Sequence, residues 1–164
     1  MATINRVPVA DLCSLWAQTP TTPMNIALIG VLDQVTLTGG VDSSCEDVLG
    51  RVRTAVQANL HRAPLLRQVI RSTRRGEGRP VWLDDADFDL RRHVVLPDQA
   101  PPPGDDEAFL AWCARRSVIP VDPARPMWRM DVVPGLPGGR LGVLVVLHHV
   151  VADGLRDVQL VSTA

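Results

Sequence analysis

Apolar residues at Val48, Leu49, Val52, Val56 and Leu60 recur at three- and four-residue intervals, the spacing that lines one face of an α-helix. Ser43, with Glu46 three residues on, matches the reciprocal pair in which each side chain satisfies the other residue's free amide. A helix is therefore predicted from Ser43 to Leu60. Arg51, Arg53, Gln57 and Asn59 fall mostly on its solvated face, and His61 ends it where a cation suits the helix dipole. A second helix is expected to start at Asp105 or Asp106 and to end before Pro120. Phe109, Leu110, Trp112 and Cys113 are its core-facing stripe. Val9 to Ala17 reads as a brief third helix.

Elsewhere the pattern is extended. Met24 to Leu32, rich in Ile and Leu, reads as a buried strand, with Pro20 and Pro23 before it and a Gly39-Gly40 turn after it. Leu65 to Arg71 and Arg79 to Leu83 flank a polar turn containing Gly76 and Gly78, which suggests a hairpin or an irregular β excursion. Asp84 to Asp89 lacks the glycine and distal glutamate of a calcium loop, and reads as a polar turn with Phe88 anchored in the core. Leu90 to Leu96 reads as extended, with His93 a structural residue at or near the surface. Met127 to Val133 and Arg140 to Leu147 flank Pro134 to Gly139, a second hairpin. Its second strand, Leu141 to Leu147, is apolar on both faces and belongs in a sheet interior. Gln99 to Asp106, with three prolines and a glycine, is linker-like but too short to separate domains.

A length of 164 residues fits one domain, and 46% hydrophobic with 21% charged residues fits a globular chain rather than a disordered one. Seventeen basic residues against 18 acidic ones leave a charge of −1, which argues against nucleic acid as the main partner. All the basic residues are arginines, a bias expected of GC-rich coding; the functional alternative is an anion-binding arginine surface. No apolar run approaches the ~18 residues of a membrane span, and no signal peptide is visible at the start. Cys13, Cys45 and Cys113 are too scattered for a zinc or redox motif, and read as reduced, buried thiols.

The chemistry concentrates at the end of the buried strand, in His148-His149-Val150-Val151-Ala152-Asp153-Gly154. An imidazole takes and gives protons near neutral pH. In extended chain the two histidines point to opposite faces, so one is expected to face a cleft and the other to pack inward. Asp153 can reach back towards His149 if the chain turns at Val150 to Ala152, with Gly154 relieving the turn. Three readings stand: a turn holding a buried, hydrogen-bonded histidine; a metal site of His148, His149 and Asp153; and a general base for acyl transfer. Adjacent histidines on opposite faces are poor joint ligands. No Gly-x-Ser-x-Gly elbow is present, so direct transfer without an acyl-enzyme suits the third reading.

The segment has the HHxxxDG form shared by chloramphenicol acetyltransferase-like enzymes and condensation domains. Three further segments resemble the bacterial wax ester synthase/diacylglycerol acyltransferase family. They are Gln18 to Asn25 (QTPTTPMN), Gly78 to Val94 (GRPVWLDDADFDLRRHV) and Asp122 to Trp128 (DPARPMW), with Met127 in place of the usual leucine. Their order and spacing match over nearly the whole chain.

The resemblance implies an α+β fold, an α/β sandwich of chloramphenicol acetyltransferase-like type with a mixed, largely antiparallel sheet flanked by helices. It implies that residues 1–164 are the N-terminal one of two similar domains that meet around a tunnel. It implies His149 as the base, with His148 beside it as the more buried, structural histidine, and Asp153 as the partner holding the local structure. Gly154, Pro126 and Trp128 are implied as motif residues shaping the site. The implied reaction joins a long-chain acyl group from acyl-CoA to diacylglycerol or a fatty alcohol, with no metal or bound cofactor.

Family members are longer, and Leu155 to Val158 departs from their usual continuation. A missing or separately encoded C-terminal domain is thus expected as partner, and the isolated chain is expected to self-associate, with Leu141 to Leu147 most at risk. Two alternatives accompany this reading: an inactive or split fragment acting as an interaction or acyl-binding module, and a condensation-like transferase with another acceptor. The expected location is cytoplasmic, with the lipid substrates implying peripheral contact with membrane or lipid droplets.

Overall fold

A computed structural model describes residues 5–19, 21–34, 44–100 and 105–154, with side chains as far as Ala152. Ser43, the Gly39-Gly40 turn and the Pro101 to Gly104 run lie outside the described residues, as do residues 155–164.

The longest helix, α2 (Cys45–Asn59), follows α1 (Val9–Ala17) and strand β1 (Asn25–Asp33). Its capping pair is one residue later than the sequence suggested. Ser44 Oγ accepts the Asp47 amide at 3.2 Å, and the Asp47 carboxylate accepts the Ser44 amide at 3.2 Å. The run Ser43-Ser44-Cys45-Glu46-Asp47 holds two overlapping Ser-x-x-acid frames, and pattern alone does not choose between them. The apolar stripe behaves as expected: Val48, Leu49 and Val52 are buried, and the chain tightens into a 3-10 turn at Leu60–Arg62 that carries an exposed His61.

Strands β2 (Gln68–Arg71) and β3 (Val81–Asp84) pair antiparallel as a separate two-stranded sheet, the first expected hairpin. The stretch from Leu90 is not continuously extended. Asp89 accepts the Arg91 amide and starts a 3-10 turn (Leu90–Arg92), leaving only β4 (Val94–Val95) as strand. Helix α3 (Asp106–Ser117) is capped by Asp105, whose carboxylate accepts the amides of Glu107 and Ala108. Phe109, Trp112 and Cys113 are buried, but Leu110 is 53% exposed, because 110 falls on the outer side of the turn the other three define.

The main sheet has the order β1-β6-β5-β4, with β5 (Trp128–Leu136) and β6 (Arg140–His148) forming the second hairpin. β4 runs parallel to β5 and the other pairs are antiparallel, so the sheet is mixed and the fold is α+β. Gly138 and Gly139, both at positive φ, make the hairpin turn, and Gly135, also at positive φ, sits in β5 at the register shift between Pro134 and Leu136. β6 lies between β1 and β5 and is the buried centre of the sheet: Leu141, Leu144 and Val146 are fully enclosed. Among the described strands β1 is at the edge, which corrects the reading of Met24 to Leu32 as buried. Leu28, Ile29, Val31 and Leu32 are 46–50% exposed. Hydrophobicity alone does not distinguish an apolar edge from an apolar interior.

α3 lies on the sheet face that carries Gly142, Leu144, Val146 and His148. A Cβ at Gly142 would meet the Phe109 ring at 2.6 Å, so that glycine is where helix and strand come closest. On the opposite face Trp128 donates its indole N–H to Leu66 O at 2.8 Å, bringing in the turn that precedes β2.

Candidate active site

β6 ends at His148, and His149 opens the short helix α4 (His149–Gly154). The backbone of both histidines is tied on each side. His148 N–H donates to Met127 O at 2.9 Å, and His149 N–H donates to Met24 O at 2.7 Å. The motif is thus clamped between the segment before β1 and the segment before β5, two of the stretches that carried the family resemblance. The chain does turn after His149, and residues 149 and 153 are one helical turn apart; the Asp153 side chain lies outside the described ones.

The two imidazoles occupy different surroundings, as alternation predicted. His148 is fully buried and His149 only partly so. His148 Nδ1 accepts the Val150 amide at 3.1 Å, so the neutral ring carries its proton on Nε2, and the side chain caps the second residue of α4. Burial, reinforced by His149 beside it, pushes its pKa down to about 4. His148 is therefore neutral at pH 7 and acts as a helix cap. Its Nε2 has no hydrogen-bond partner among the described residues.

The other motif residues gather around the same end of the sheet. Pro126, Met127 and Trp128 are all buried. Trp128 stacks on His93 (centroids 4.7 Å apart, 17° between planes), and His93 stacks on Phe88 at 5.2 Å. Residues from two separate resembling segments thus form one aromatic column. His93 is 4% exposed, more buried than expected, and its Nδ1 pairs with Trp128 O at 2.9 Å. Its burial holds its pKa below the usual histidine value. On the other flank Asn25, which opposes His148 in the β1–β6 register, donates to Ser117 O and Ile119 O at 2.9 Å each. It satisfies carbonyls at the end of α3 and fixes that helix beside the histidines.

Sequence reasoning missed a buried charge cluster on the α3 face. Asp131, fully enclosed, accepts a two-pronged bond from Arg116 (3.0 and 3.2 Å) and lies 3.5 Å from Arg129 Nε. Arg129 also donates to Ile119 O and Arg116 O, so one network links β5 to the end of α3. The visible signal was an aspartate inside an otherwise apolar run, Met130-Asp131-Val132-Val133. Burial and the Asp131 charge push the neighbouring Cys113 thiol up to about 11. Cys13 and Cys45 are exposed, contrary to the expectation that all three thiols are buried. Cys13 lies in the middle of α1 and Cys45 opens α2 between the polar Ser44 and Glu46.

Among the described residues, no group of three or more His, Cys, Asp or Glu side chains is placed to hold a metal ion. Two concavities, one between α2 and Phe88–Arg91 and one beside His93, include neither His148 nor His149 in their lining. His149 stands at the end of the sheet, partly buried. That arrangement offers a proton acceptor, held by its backbone and flanked by a neutral, buried imidazole.

The family model for the wax ester synthase/diacylglycerol acyltransferase catalytic domain matches residues 8–164. A Mycobacterium bovis protein named "Putative diacyglycerol O-acyltransferase" is 33% identical over 153 residues, which cover 93% of this chain and 29% of the relative. A Mycobacterium tuberculosis protein of the same name is 30% identical, over 98% of this chain and 31% of its own. The chain thus spans about three tenths of the length of these curated relatives. In shape it is similar to the wax ester synthase/diacylglycerol acyltransferase of Marinobacter aquaeolei VT8 (TM-score 0.69, 20% identity, 92% of this chain and 36% of that one). It is also similar to the first condensation domain of the CDA synthetase (TM-score 0.58, 16% identity, 99% of this chain and 41% of that one). At those identities the likeness concerns the fold, which is the expected sheet flanked by helices.

Proposed function

The chain belongs to the wax ester synthase/diacylglycerol acyltransferase family, and from that premise we propose that it is the histidine-bearing N-terminal domain of an O-acyltransferase. The substrates are a long-chain acyl-CoA and diacylglycerol or a fatty alcohol. The observation that carries this reading is the inequality of the two histidines: His148 is enclosed, neutral and used as a helix cap, whereas His149 is only partly buried and is held through its own backbone. His149 takes the proton of the acceptor hydroxyl as its oxygen attacks the thioester carbonyl. A C–O bond forms, the C–S bond breaks, and the imidazolium returns the proton to the CoA thiolate. General acid–base assistance of this kind contributes typically ~10²–10⁴-fold, with orientation of the two substrates supplying much of the rest.

In this reading Asp153 supports the turn that carries His149, with Gly154 ending it, while Pro126 and Trp128 shape the wall behind it. The partner that completes the tunnel corresponds to the part of the relatives beyond the matched region, joined to this chain or encoded separately. The protein acts in the cytoplasm, meeting its lipid substrates at a membrane or lipid-droplet surface. No described helix is long and apolar enough to cross a membrane.

The test is CoA release and ester formation from a long-chain acyl-CoA with diacylglycerol or hexadecanol. It is run on this chain with the remaining region of the Mycobacterium bovis relative co-expressed. His149→Ala is expected to lower the rate by about 10²-fold or more. An unchanged rate would remove His149 as the base.

A further inference from the structure

We propose that β1 is a self-complementary edge through which two copies of this chain pair, their four-stranded sheets joining into one continuous eight-stranded sheet. This inference is independent of the chemistry at His149. β1 borders only β6, so one side of the strand has no neighbour among the described strands. It lacks the devices that guard an exposed edge: from Asn25 to Leu32 there is no proline, no charge and no register break. Leu28, Ile29, Val31 and Leu32 are half exposed, and they alternate between the two sheet faces, so the edge is apolar above and below.

The backbone sets the symmetry. His149 N–H bonds Met24 O, and Gln34 N–H bonds Gly139 O. In the β1–β6 register those bonds mark the even-numbered residues of β1 as the ones whose amides and carbonyls face β6. The odd-numbered residues, Ala27, Ile29 and Val31 among them, therefore present theirs to the open side. A two-fold axis at Ile29 sets Ile29 opposite Ile29, Ala27 opposite Val31 and Asn25 opposite Asp33. Odd then meets odd, so outward amides face outward carbonyls at all five odd-numbered residues from Asn25 to Asp33. The same register sets Ile26 against Leu32 and Leu28 against Gly30, leaving apolar groups together on both faces. Asp33 opposes a neutral Asn25 rather than a second carboxylate. Moving the axis to Val31 would set Asp33 against Ile29, and moving it to Ala27 would bring Pro23 into the ladder.

A nine-residue strand is about 30 Å long. A strip about 15 Å deep along it buries roughly 900 Å² over both copies, below the ~1,200 Å² of the smaller specific complexes. The dimer expected is reversible, with a dissociation constant on the order of 10 μM.

Sedimentation equilibrium of the full chain at about 5–500 μM tests this, that span bracketing the expected constant. The wild type is expected to move from one chain mass to two. Ile29→Lys, which places like charges opposite each other across the axis, is expected to weaken pairing by about 100-fold. Leu110→Lys, on the exposed side of α3, is expected to leave it unchanged. A second route covers a variant that folds badly. In a Cys13→Ser, Cys45→Ser background, Ile29→Cys is expected to form a disulfide-linked dimer under mild oxidation, because facing Cα atoms in such a pair lie about 5.5 Å apart. Leu28→Cys, offset by two residues from its own copy, is expected not to. A monomeric wild type at the highest concentration overturns the proposal, as does a dimer indifferent to Ile29→Lys or equal crosslinking at both positions.

Discussion

Two glycines in neighbouring strands make a sharp test of the packing, because the same substitution is expected to act in opposite directions. At Gly142, in the central strand, an added Cβ would sit 2.6 Å from Cε2 and Cζ of Phe109 and 3.0 Å from Leu136 Cδ1. Ordinary carbon contacts lie at about 3.5–4.0 Å, so the ring must retreat by about 1 Å. It has little room: Phe109 is 1% exposed and stacks on Trp112, whose indole is held by Gln99 O at 2.7 Å. Overpacking of this kind costs about 1–3 kcal/mol, against a gain of about 0.5–1 kcal/mol from replacing a strand glycine by alanine. At Gly30, in the edge strand, nothing lies within 4 Å of the new methyl group, so only the gain remains. The net cost is about 0–2.5 kcal/mol, so at about 2–4 °C per kcal/mol for a chain of this size Gly142→Ala is expected to lower the melting temperature by up to roughly 10 °C. Gly30→Ala is expected to raise it by roughly 1–4 °C on the same scale. Denaturant titration of both, at low concentration to keep association out, measures the difference directly. Phe109→Leu should be less harmful in the Gly142→Ala background than in the wild type. A Gly142→Ala chain stabilised as much as the Gly30→Ala chain would refute the placement of α3 on this face.

Three other outcomes are expected. The pKa of His148 is depressed by burial, so the unfolded chain takes up a proton before the folded one does. Its contribution to stability is intact above pH 6.5 and is lost as the pH falls towards about 4, by roughly 3 kcal/mol at most. His93 acts in the same direction, so the share of His148 is read as the difference in urea-unfolding slope against pH between wild type and His148→Asn. Asp131→Asn strips the counter-charge from Arg116 and Arg129, and urea unfolding should show a loss of about 3–5 kcal/mol, as for other broken buried pairs. A thiol reagent should modify Cys13 and Cys45 in the folded chain, with Cys113 reacting only on unfolding, because it is enclosed and its thiolate is disfavoured.

Local signals proved the most legible in the sequence. The second hairpin could be read from two apolar runs around a glycine-rich turn, and the burial of β6 from apolar residues on both of its faces. The start of α3 followed from Asp105. Each of these is decided by residues within a few positions of one another. The exposure of β1 was not legible, because edge or interior depends on which strands lie beside it, and its neighbour comes from more than 100 residues further along. The capping frame of α2 turned on a choice between two equivalent serines. At the candidate site the motif pointed to both histidines and to their unequal burial. It did not show that Met24 and Met127 hold them by backbone carbonyls, since any residue can accept such a bond. Nor did it show the ring column through Phe88, His93 and Trp128. The contacts of His93 with Trp128 and of His149 with Met24 join segments 35 residues or more apart, and a linear motif records that such residues are present without saying what they touch.

The pairing of the first strand with the last has a temporal side. Leu32 is opposed by Leu141, so 108 residues must be synthesised between one half of that pair and the other. At about 5–20 residues per second the first strand waits roughly 5–20 s for its neighbour, with its apolar residues uncovered on both faces. The histidines, at the far end of that same late pairing, are set in place only when the strand closes. The Met24 carbonyl that holds the His149 amide is thus made long before the residue it anchors.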